Sequence, residues 1–475
     1  MINLGITSNG KQGQIDSDAT TLALIREKFS ISNPAHRRNT RFVPARLYCI
    51  TPAGKFEIGM LKDITSYLDS TQKKYQITED LKNKFFVGYE DPIIKKYCLT
   101  YRDHQDKSIR EAVKKGRGVI CIPTAGGKTL IMAGIIESMR LSMYKPNAKA
   151  LVLVPNIQLV EQTSKDFEEY GMESVTKWSG DNIPDPQATT IVAGTQILLS
   201  EKSDLSLLGD IDLLLVDETH GLRKGNEINK VLQLVNTNYR FGFTGTMPTS
   251  LIDQWNIIGK IGPIIFQEKT QDLKDKNYVS DFKIFILNVV HKNIPKIEHN
   301  PNRPSEAFEK ELEFLTNNSR RNEIITNLAL KLKNNTIIMA DRIQHGETLE
   351  QLLKEKCKEF NKIVYFIRGS TEMEDREAIR KLMDGRSDVI VVAISKIFST
   401  GINIPNLHNI IFASAGKAKI KIMQSIGRAL RLHPTKTMAN IFDISDNTKY
   451  GKRHLTERET LYISENYIYE KTDIH

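Results

Sequence analysis

The chain holds little that would brace a secreted or metal-built fold. Its four cysteines, Cys49, Cys98, Cys121 and Cys357, are scattered, with no Cys-x-x-Cys pair. That spacing points to neither a zinc site nor a disulfide framework, so a reducing, cytoplasmic compartment is expected. No apolar run approaches the roughly 18–20 residues that a membrane span needs, which argues against a membrane partner. The opening residues, Met1, Ile2, Asn3 and Leu4, lack the basic-then-apolar pattern of a secretory signal. No repeat is visible residue by residue, and no block resembles a PD-(D/E)xK nuclease.

What is present is a long chain of mixed charge. At 475 residues it exceeds one ordinary domain, so two or three are expected. A hydrophobic content of 40% suits a globular protein. The net charge of +10 fits a polyanionic partner, and fits a lysine-rich solvated surface equally well.

From Val119 onward, short apolar runs alternate with amphipathic helical stretches. The runs are Val119–Ile122, Ala150–Val154, Thr190–Ala193, Leu213–Val216 and Arg240–Phe243. Helical signals fall between them, as in Thr129–Leu141 and Gln158–Tyr170. This alternation argues for a parallel sheet covered on both faces. The pattern weakens over 266–283 and then resumes. Thr336–Ala340, Ile363–Phe366, Val389–Ala393, Asn409–Ala413 and Ala439–Asp443 form a second series of expected strands. Three parts are therefore expected, over residues 1–90, 91–280 and 281–475. In the first, Ala19–Phe29 and Met60–Leu68 carry helical spacing, and 42–50 with 55–58 read as a hairpin around Pro52-Ala53-Gly54.

The chemistry concentrates where strands end. The first strand feeds Pro123, Thr124, Ala125, Gly126, Gly127, Lys128 and Thr129, and a helix follows. A strand, a glycine-lysine-threonine turn and a helix N-terminus present backbone N–H groups to phosphate oxygens. Lys128 would sit on the β- and γ-phosphates of a nucleoside triphosphate, and the Thr129 hydroxyl on a magnesium ion. Asp217 and Glu218 follow the strand Leu213–Val216. Asp217 suits the same magnesium ion, and Glu218 the orientation or deprotonation of an attacking water. A strand-terminal Asp-Glu pair can also be a helix cap. The upstream Lys128-Thr129 favours the catalytic reading. Arg428 and Arg431 share one helical face after Gln424, where they could be solvated or could stabilise a transferring phosphoryl group.

The order of these elements resembles the superfamily 2 helicases. Arg102 and Gln105 match an adenine-reading motif, and the phosphate loop follows. Then come Pro155-Asn156, Thr195-Gln196, Asp217 to His220, and Thr244 to Thr246. Ser399-Thr400 and the segment Gln424 to Arg431 close the series. Ile122 and Ala125 stand where the usual loop has glycines. Neither change removes a phosphate-binding group. The resemblance implies an α/β fold of two tandem RecA-like parallel-sheet domains with a small N-terminal α+β domain. It implies ATP with Mg²⁺ as cofactors. ATP would be bound between the domains by Arg102, Gln105, Thr124, Ala125, Gly126, Gly127, Lys128 and Thr129. It implies catalysis by Lys128, Asp217, Glu218, Gln424, Arg428 and Arg431. Nucleic-acid backbone contacts fall to Pro155, Asn156, Thr195, Gln196, Ser399 and Thr400, and coupling to His220, Thr244 and Thr246.

Asp-Glu-Thr-His at 217–220 departs from the Asp-Glu-Ala-Asp pattern of RNA-specific helicases. The N-terminal part, with basic residues Arg37, Arg38 and Arg41, resembles the leader of phage UvsW-type DNA helicases, as does the tail carrying Asp443, His454, Arg458 and Tyr462. This implies an ATP-dependent DNA helicase or translocase without sequence specificity, in the cytoplasm of an infected bacterial host. Its partner would be branched DNA or single-strand/duplex junctions, and its task fork regression or branch migration. An RNA helicase, a duplex translocase subunit of a larger complex, and a binding protein with a degenerate ATPase are the alternatives. The intact Lys128, Asp217 and Glu218 weigh against the last.

Overall fold

The computed structural model describes residues 1–33, 36, 43–95, 100–123, 126–180, 182–200, 203–297, 304–395, 404, 406–414, 433–434, 436, 438–465 and 467–475. It divides into two units, Met1–Ile122 with Gly127–Glu268, and Pro123–Gly126 with Lys269–His475.

The first unit opens with a small module. Its strands are β1 (Ile2–Ile6), β2 (Gly13–Asp16), β3 (Ser30–Ser32), β4 (Arg46–Tyr48), β5 (Lys55–Phe56) and β6 (Tyr75–Ile77). A mixed sheet runs in the order β5-β2-β1-β6, antiparallel except between β1 and β6. Leu4, Ile15, Ile25, Phe56, Ile64 and Leu68 form its core, with helices Ala19–Lys28 and Leu61–Ser70 supplying Ile25, Ile64 and Leu68. The hairpin expected around Pro52-Ala53-Gly54 closes only at its turn, where Thr51 N–H bonds Lys55 O at 2.9 Å. Gly54 N–H bonds Thr51 O at 2.9 Å in a tight turn, but β4 pairs with β3 and β5 with β2. Arg46–Tyr48 is only half-buried throughout, so its side chains do not dictate one partner.

The rest of this unit is an α/β layer. Its strands are β7 (Arg117–Cys121), β8 (Ala150–Val154), β9 (Val175–Trp178), β10 (Thr190–Gly194), β11 (Leu213–Val216), β12 (Tyr239–Thr244) and β13 (Ile264–Gln267). They form one seven-stranded sheet in the order β13-β7-β12-β11-β8-β10-β9, parallel at every pairing. Val119, Cys121, Leu151 and Leu153 face one apolar cluster, while Ile120, Ile122, Val152 and Val154 face the other. Both faces are covered, which is why these strands are continuous apolar runs and not alternating ones. The edge strand β13 is half-exposed and β9 mostly so, and both lack the all-apolar signature.

The module is seated on this layer. Trp255 and Ile258, from the helix Leu251–Lys260, pack into the module's core. Gly59 approaches so closely that a Cβ there would lie 1.9 Å from Ile258 O. The Lys260 ammonium pairs with Glu57 at 2.7 Å.

The second unit repeats the architecture. Its strands are β14 (Asp281–Val289), β15 (Thr336–Ala340), β16 (Ile363–Ile367), β17 (Val389–Ile394), β18 (Asn409–Phe412), β19 (Met438–Asp446) and β20 (Tyr469–Ile474). The sheet runs β16-β17-β15-β18-β19-β14-β20, again parallel throughout. Two parallel-sheet units preceded by a small α+β module are thus present, as the sequence implies. The tail residues converge on β19: Arg458 Nε donates to Asp443 Oδ2 at 2.8 Å, and Tyr462 donates to the same oxygen at 2.9 Å. Among the described residues no helix is long and apolar enough to cross a membrane.

Candidate functional site

In a parallel sheet every strand delivers its C-terminal end to the same edge, and ligand-binding loops gather there. Here that edge carries the segments after β7, β8, β10, β11 and β12. Beyond β7, Gly126 N–H bonds Pro123 O at 2.9 Å, and Gly127 takes a left-handed conformation, φ 78° and ψ 42°. That turn opens the helix Lys128–Ser142, whose first N–H groups have no intrahelical acceptor. Lys128 is buried, with its ammonium 3.4 Å from Ile122 O, and Thr129 follows it half-buried. Thr124 and Ala125 lie outside the described residues.

Gln105 reaches the same loop. Its Oε1 accepts the backbone N–H of Arg102 at 2.9 Å, opening the helix Asp103–Lys115. Its Nε2 would be 2.4 Å from any Cβ at Gly127. Arg102 and Gln105 are therefore both drawn to this corner, Gln105 buried and Arg102 half-buried.

Asp217 and Glu218 stand at the end of β11. Asp217 N–H bonds Leu153 O at 2.8 Å, which pins the turn to β8. Glu218 then adopts φ 49° and ψ 47°, a left-handed conformation that non-glycine residues seldom take, and its N–H bonds Asp217 Oδ1 at 2.9 Å. Part of the Asp217 side chain meets solvent, but its charge sits deep in the protein. Burial and the adjacent Glu218 push its carboxyl up to about 6, while Lys128 and His220 act the other way. A cation here would relieve that pressure. Asp217 and Thr129 would each offer an oxygen to Mg²⁺, an ion that keeps waters and takes phosphate oxygens as further ligands. The left-handed glycine, the helix N-terminus, the buried lysine and the acidic pair with its strained Glu218 fit a bound nucleoside triphosphate.

A chain of contacts leads away from the carboxylates. His220 Nδ1 lies 3.1 Å from Glu218 Oε2 and 3.2 Å from Thr244 Oγ1. Thr244, fully buried, donates its hydroxyl to Thr246 O at 2.9 Å and accepts Thr246 N–H at 3.3 Å. Thr219 lies inside the Asp-Glu-Thr-His segment, but the motif assigned it no role. Its buried hydroxyl donates to Phe243 O at 3.2 Å, and its methyl leaves no room for a side chain at Gly242. Gly242, a small residue within the apolar strand β12, was the sequence signal for that contact.

The remaining candidates on this edge come from β8 and β10. Thr195 N–H bonds Val154 O at 3.0 Å, and the Thr195 hydroxyl donates to Pro155 O at 3.4 Å. Asn156 caps the helix Ile157–Glu169, accepting Leu159 N–H at 3.0 Å. Gln196 precedes a single helical turn at Ile197–Leu199. Pro155, Asn156, Thr195 and Gln196 are thus brought together. Arg37, Arg38, Arg41, Ser399, Thr400, Gln424, Arg428 and Arg431 lie outside the described residues.

Comparison with known proteins matches this arrangement to two families. Residues 98–249 match the type III restriction enzyme res subunit family, and residues 320–433 match the helicase conserved C-terminal domain. The chain is 26% identical to the ATP-dependent DNA helicase uvsW of Enterobacteria phage T4, over 96% of this chain and 92% of that one. It is also 26% identical to the DNA 3'-5' translocase XPB2 of Sulfurisphaera tokodaii, over 72% of this chain and 80% of that protein. Among solved structures, a putative HsdR subunit fragment of a type I restriction enzyme from Vibrio vulnificus shares the fold, with a TM-score of 0.59 at 15% identity, covering 98% of this chain and 79% of that one. The chain belongs to superfamily 2 and is an ATP-dependent helicase or translocase similar to UvsW.

Proposed function

We propose that the protein is a DNA helicase or translocase that remodels branched DNA without reading sequence. The observation that carries this reading is the reach of the UvsW similarity, 96% of the chain, which extends past both matched family segments into the N-terminal module. That module is built into the first unit through Gly59, Glu57 and Trp255, so it belongs to the working machine and is not an appendage. The three-part division at 1–90, 91–280 and 281–475 assigns it as an accessory nucleic-acid-binding part. Arg37, Arg38 and Arg41 would be its contacts with DNA. A phage relative favours the cytoplasm of an infected bacterium as the setting.

At the ATP site, Lys128 and the N–H groups at Gly126, Gly127 and Thr129 hold the phosphates, with Thr124 and Ala125 completing the loop. Thr129 and Asp217 would hold Mg²⁺, and the bound ion would neutralise charge on the phosphoryl oxygens. Glu218 orients the attacking water, and Gln424, Arg428 and Arg431 stabilise the transferring group. Arg102 and Gln105 read adenine. Pro155, Asn156, Thr195, Gln196, Ser399 and Thr400 touch the nucleic-acid backbone, a mode of contact that positions without specifying sequence. His220, Thr244 and Thr246 carry the state of the hydrolytic centre to that surface.

Steady-state ATP hydrolysis with matched single-stranded, duplex, forked and four-way-junction DNA, and the same shapes in RNA, tests the proposal. Forked and junction DNA should stimulate most strongly. Stronger stimulation by RNA would replace the reading with an RNA helicase. Lys128→Ala should abolish the stimulated hydrolysis while retaining nucleic-acid binding, and normal turnover in that variant would overturn the site assignment.

A further inference from the structure

Arg117 is the first residue of β7, and the phosphate loop follows the strand's far end. Arg240 is its direct neighbour in the β7–β12 ladder, so two guanidinium groups stand side by side at the edge of the sheet opposite the ATP site. Like charges opposed in this way repel. Lys260, at the end of the helix Leu251–Lys260, adds a third cation. Arg117 and Lys260 are only 5% and 6% exposed.

The cations are poorly neutralised. Glu57 of the N-terminal module pairs with Lys260 at 2.7 Å, but among the described residues neither arginine forms an ion pair. Their hydrogen bonds go to backbone carbonyls: Arg117 Nε to Ile261 O at 3.0 Å, and Arg240 Nε to Thr237 O at 2.9 Å and Nη1 to Lys260 O at 3.3 Å. Carbonyls solvate a guanidinium without cancelling its charge. Burial and the neighbouring Arg240 pull Arg117 down to about 9, and burial pulls Arg240 down to about 10, with the single Glu57 carboxylate opposing both shifts. Buried charges of one sign are costly unless a counter-charge joins them.

A space for that counter-charge exists. The three cations line a cavity of about 200 Å³ at the seam between sheet and module, and Lys11, Lys84 and Glu57 line it from the module. Lys84 already donates to Gly10 O at 2.9 Å, which holds its ammonium at the wall. The volume admits a tetrahedral oxyanion together with waters.

We propose that this seam cavity is a binding site for a phosphate-class oxyanion, held by Arg117 and Arg240 from the sheet, by Lys260 from the helix Leu251–Lys260, and by Lys11 and Lys84 from the module. Guanidinium groups suit the task because their forked donors match phosphate oxygens. An anion seated there ties the module to the sheet. Two sources share this chemistry, a free phosphate ion and a phosphodiester of a bound strand.

The test is calorimetric titration of the full chain with inorganic phosphate at constant ionic strength in chloride. It is done in a Lys128→Ala background, which removes the affinity of the phosphate loop. Saturable binding is expected, weakened about tenfold or more by Arg240→Gln and tightened several-fold by Glu57→Gln, since the latter removes the carboxylate that competes for the cations. Absence of saturable binding overturns the site, as does an affinity that neither substitution changes. Should Arg240→Gln fail to fold, Glu57→Gln decides alone, because a merely structural pair would not gain affinity on losing its carboxylate. Competition by a single-stranded oligonucleotide assigns the occupant as a phosphodiester, and its failure to compete assigns the free ion.

Discussion

Gln105 closes over Gly127: a Cβ at 127 would stand 2.4 Å from the Gln105 amide nitrogen. The glycine also holds φ 78°, where an alanine is strained whatever the space. Gly127→Ala should therefore displace both the loop and the glutamine. Nucleotide affinity is expected to fall about tenfold or more, with a stability loss of about 1 kcal/mol. Equilibrium binding of a fluorescent ATP analogue checks the first and thermal unfolding the second. An unchanged affinity would mean that the loop tolerates the shift and that Gln105 does not set its geometry.

The link from Glu218 through His220 to Thr244 makes a separate prediction. Thr244 Oγ1 serves Thr246 O, Thr246 N–H and His220 Nδ1 at once, and valine fills the same space with none of these bonds. Thr244→Val should leave hydrolysis without nucleic acid within about threefold while reducing stimulation by DNA roughly tenfold, together with about 1–3 kcal/mol of stability from the unmatched polar groups. The discriminating readout is the ratio of stimulated to unstimulated turnover. A purely structural threonine would lower both rates alike and leave the ratio where it was.

Much of this site is legible in the sequence. Glycine, lysine and an acidic pair at strand ends have few other uses, and the fully buried strands β8 and β11 announce themselves as unbroken apolar runs. What escaped were elements whose side chains face two environments. β20 is mostly exposed and polar, and it is a strand only because β14 offers it a backbone partner. β3 and β4 pair with each other, not with β5, because turn chemistry at Pro52-Ala53-Gly54 marks a reversal without choosing a ladder. The role of Thr219 was invisible for a similar reason: its bond to Phe243 O joins residues that only the β11–β12 pairing brings side by side. The pairing of Arg117 with Arg240 likewise exists only once the strand order is known.

The second unit carries a pH dependence in His345. Its Nε2 lies 3.0 Å from Asn322 Oδ1, and burial beside Arg321 holds the imidazole down to about 3 from an ordinary 6.5. In the unfolded chain the ring takes a proton below about 6.5, whereas in the folded chain it resists until about 3. The unfolded state then binds the extra proton across that window, so stability is full above 6.5 and is lost as pH falls toward 3. The slope should approach about 1.4 kcal/mol per pH unit from this one group. Denaturant unfolding from pH 7.5 to 5, compared with His345→Gln, measures it. Equal slopes in the two proteins would show that the ring is not held neutral.

Gly59 tests whether the N-terminal module and the first sheet act as one body. Its Cα faces the carbonyls of Ile258 and Gly259, and a methyl there would meet those oxygens at 1.9 and 2.8 Å. Backbone oxygens at the end of a packed helix cannot swing aside as a flexible side chain can, so Gly59→Ala must separate the surfaces. Separation would pull Glu57 from Lys260 and withdraw Trp255 from the apolar cluster around Phe29. Loss of that much packing at a tight contact is expected to cost about 2–4 kcal/mol. The module should then be cut by protease at the connection near residues 86–95 while the sheet survives. DNA-stimulated hydrolysis should fall more than hydrolysis without DNA, because the ATP site lies at the other edge of the sheet. If the variant resists protease as the parent does, the contact is adaptable and the module is tethered elsewhere. If it resists and yet loses DNA stimulation, the module acts through its own surface and not through its seat on the sheet.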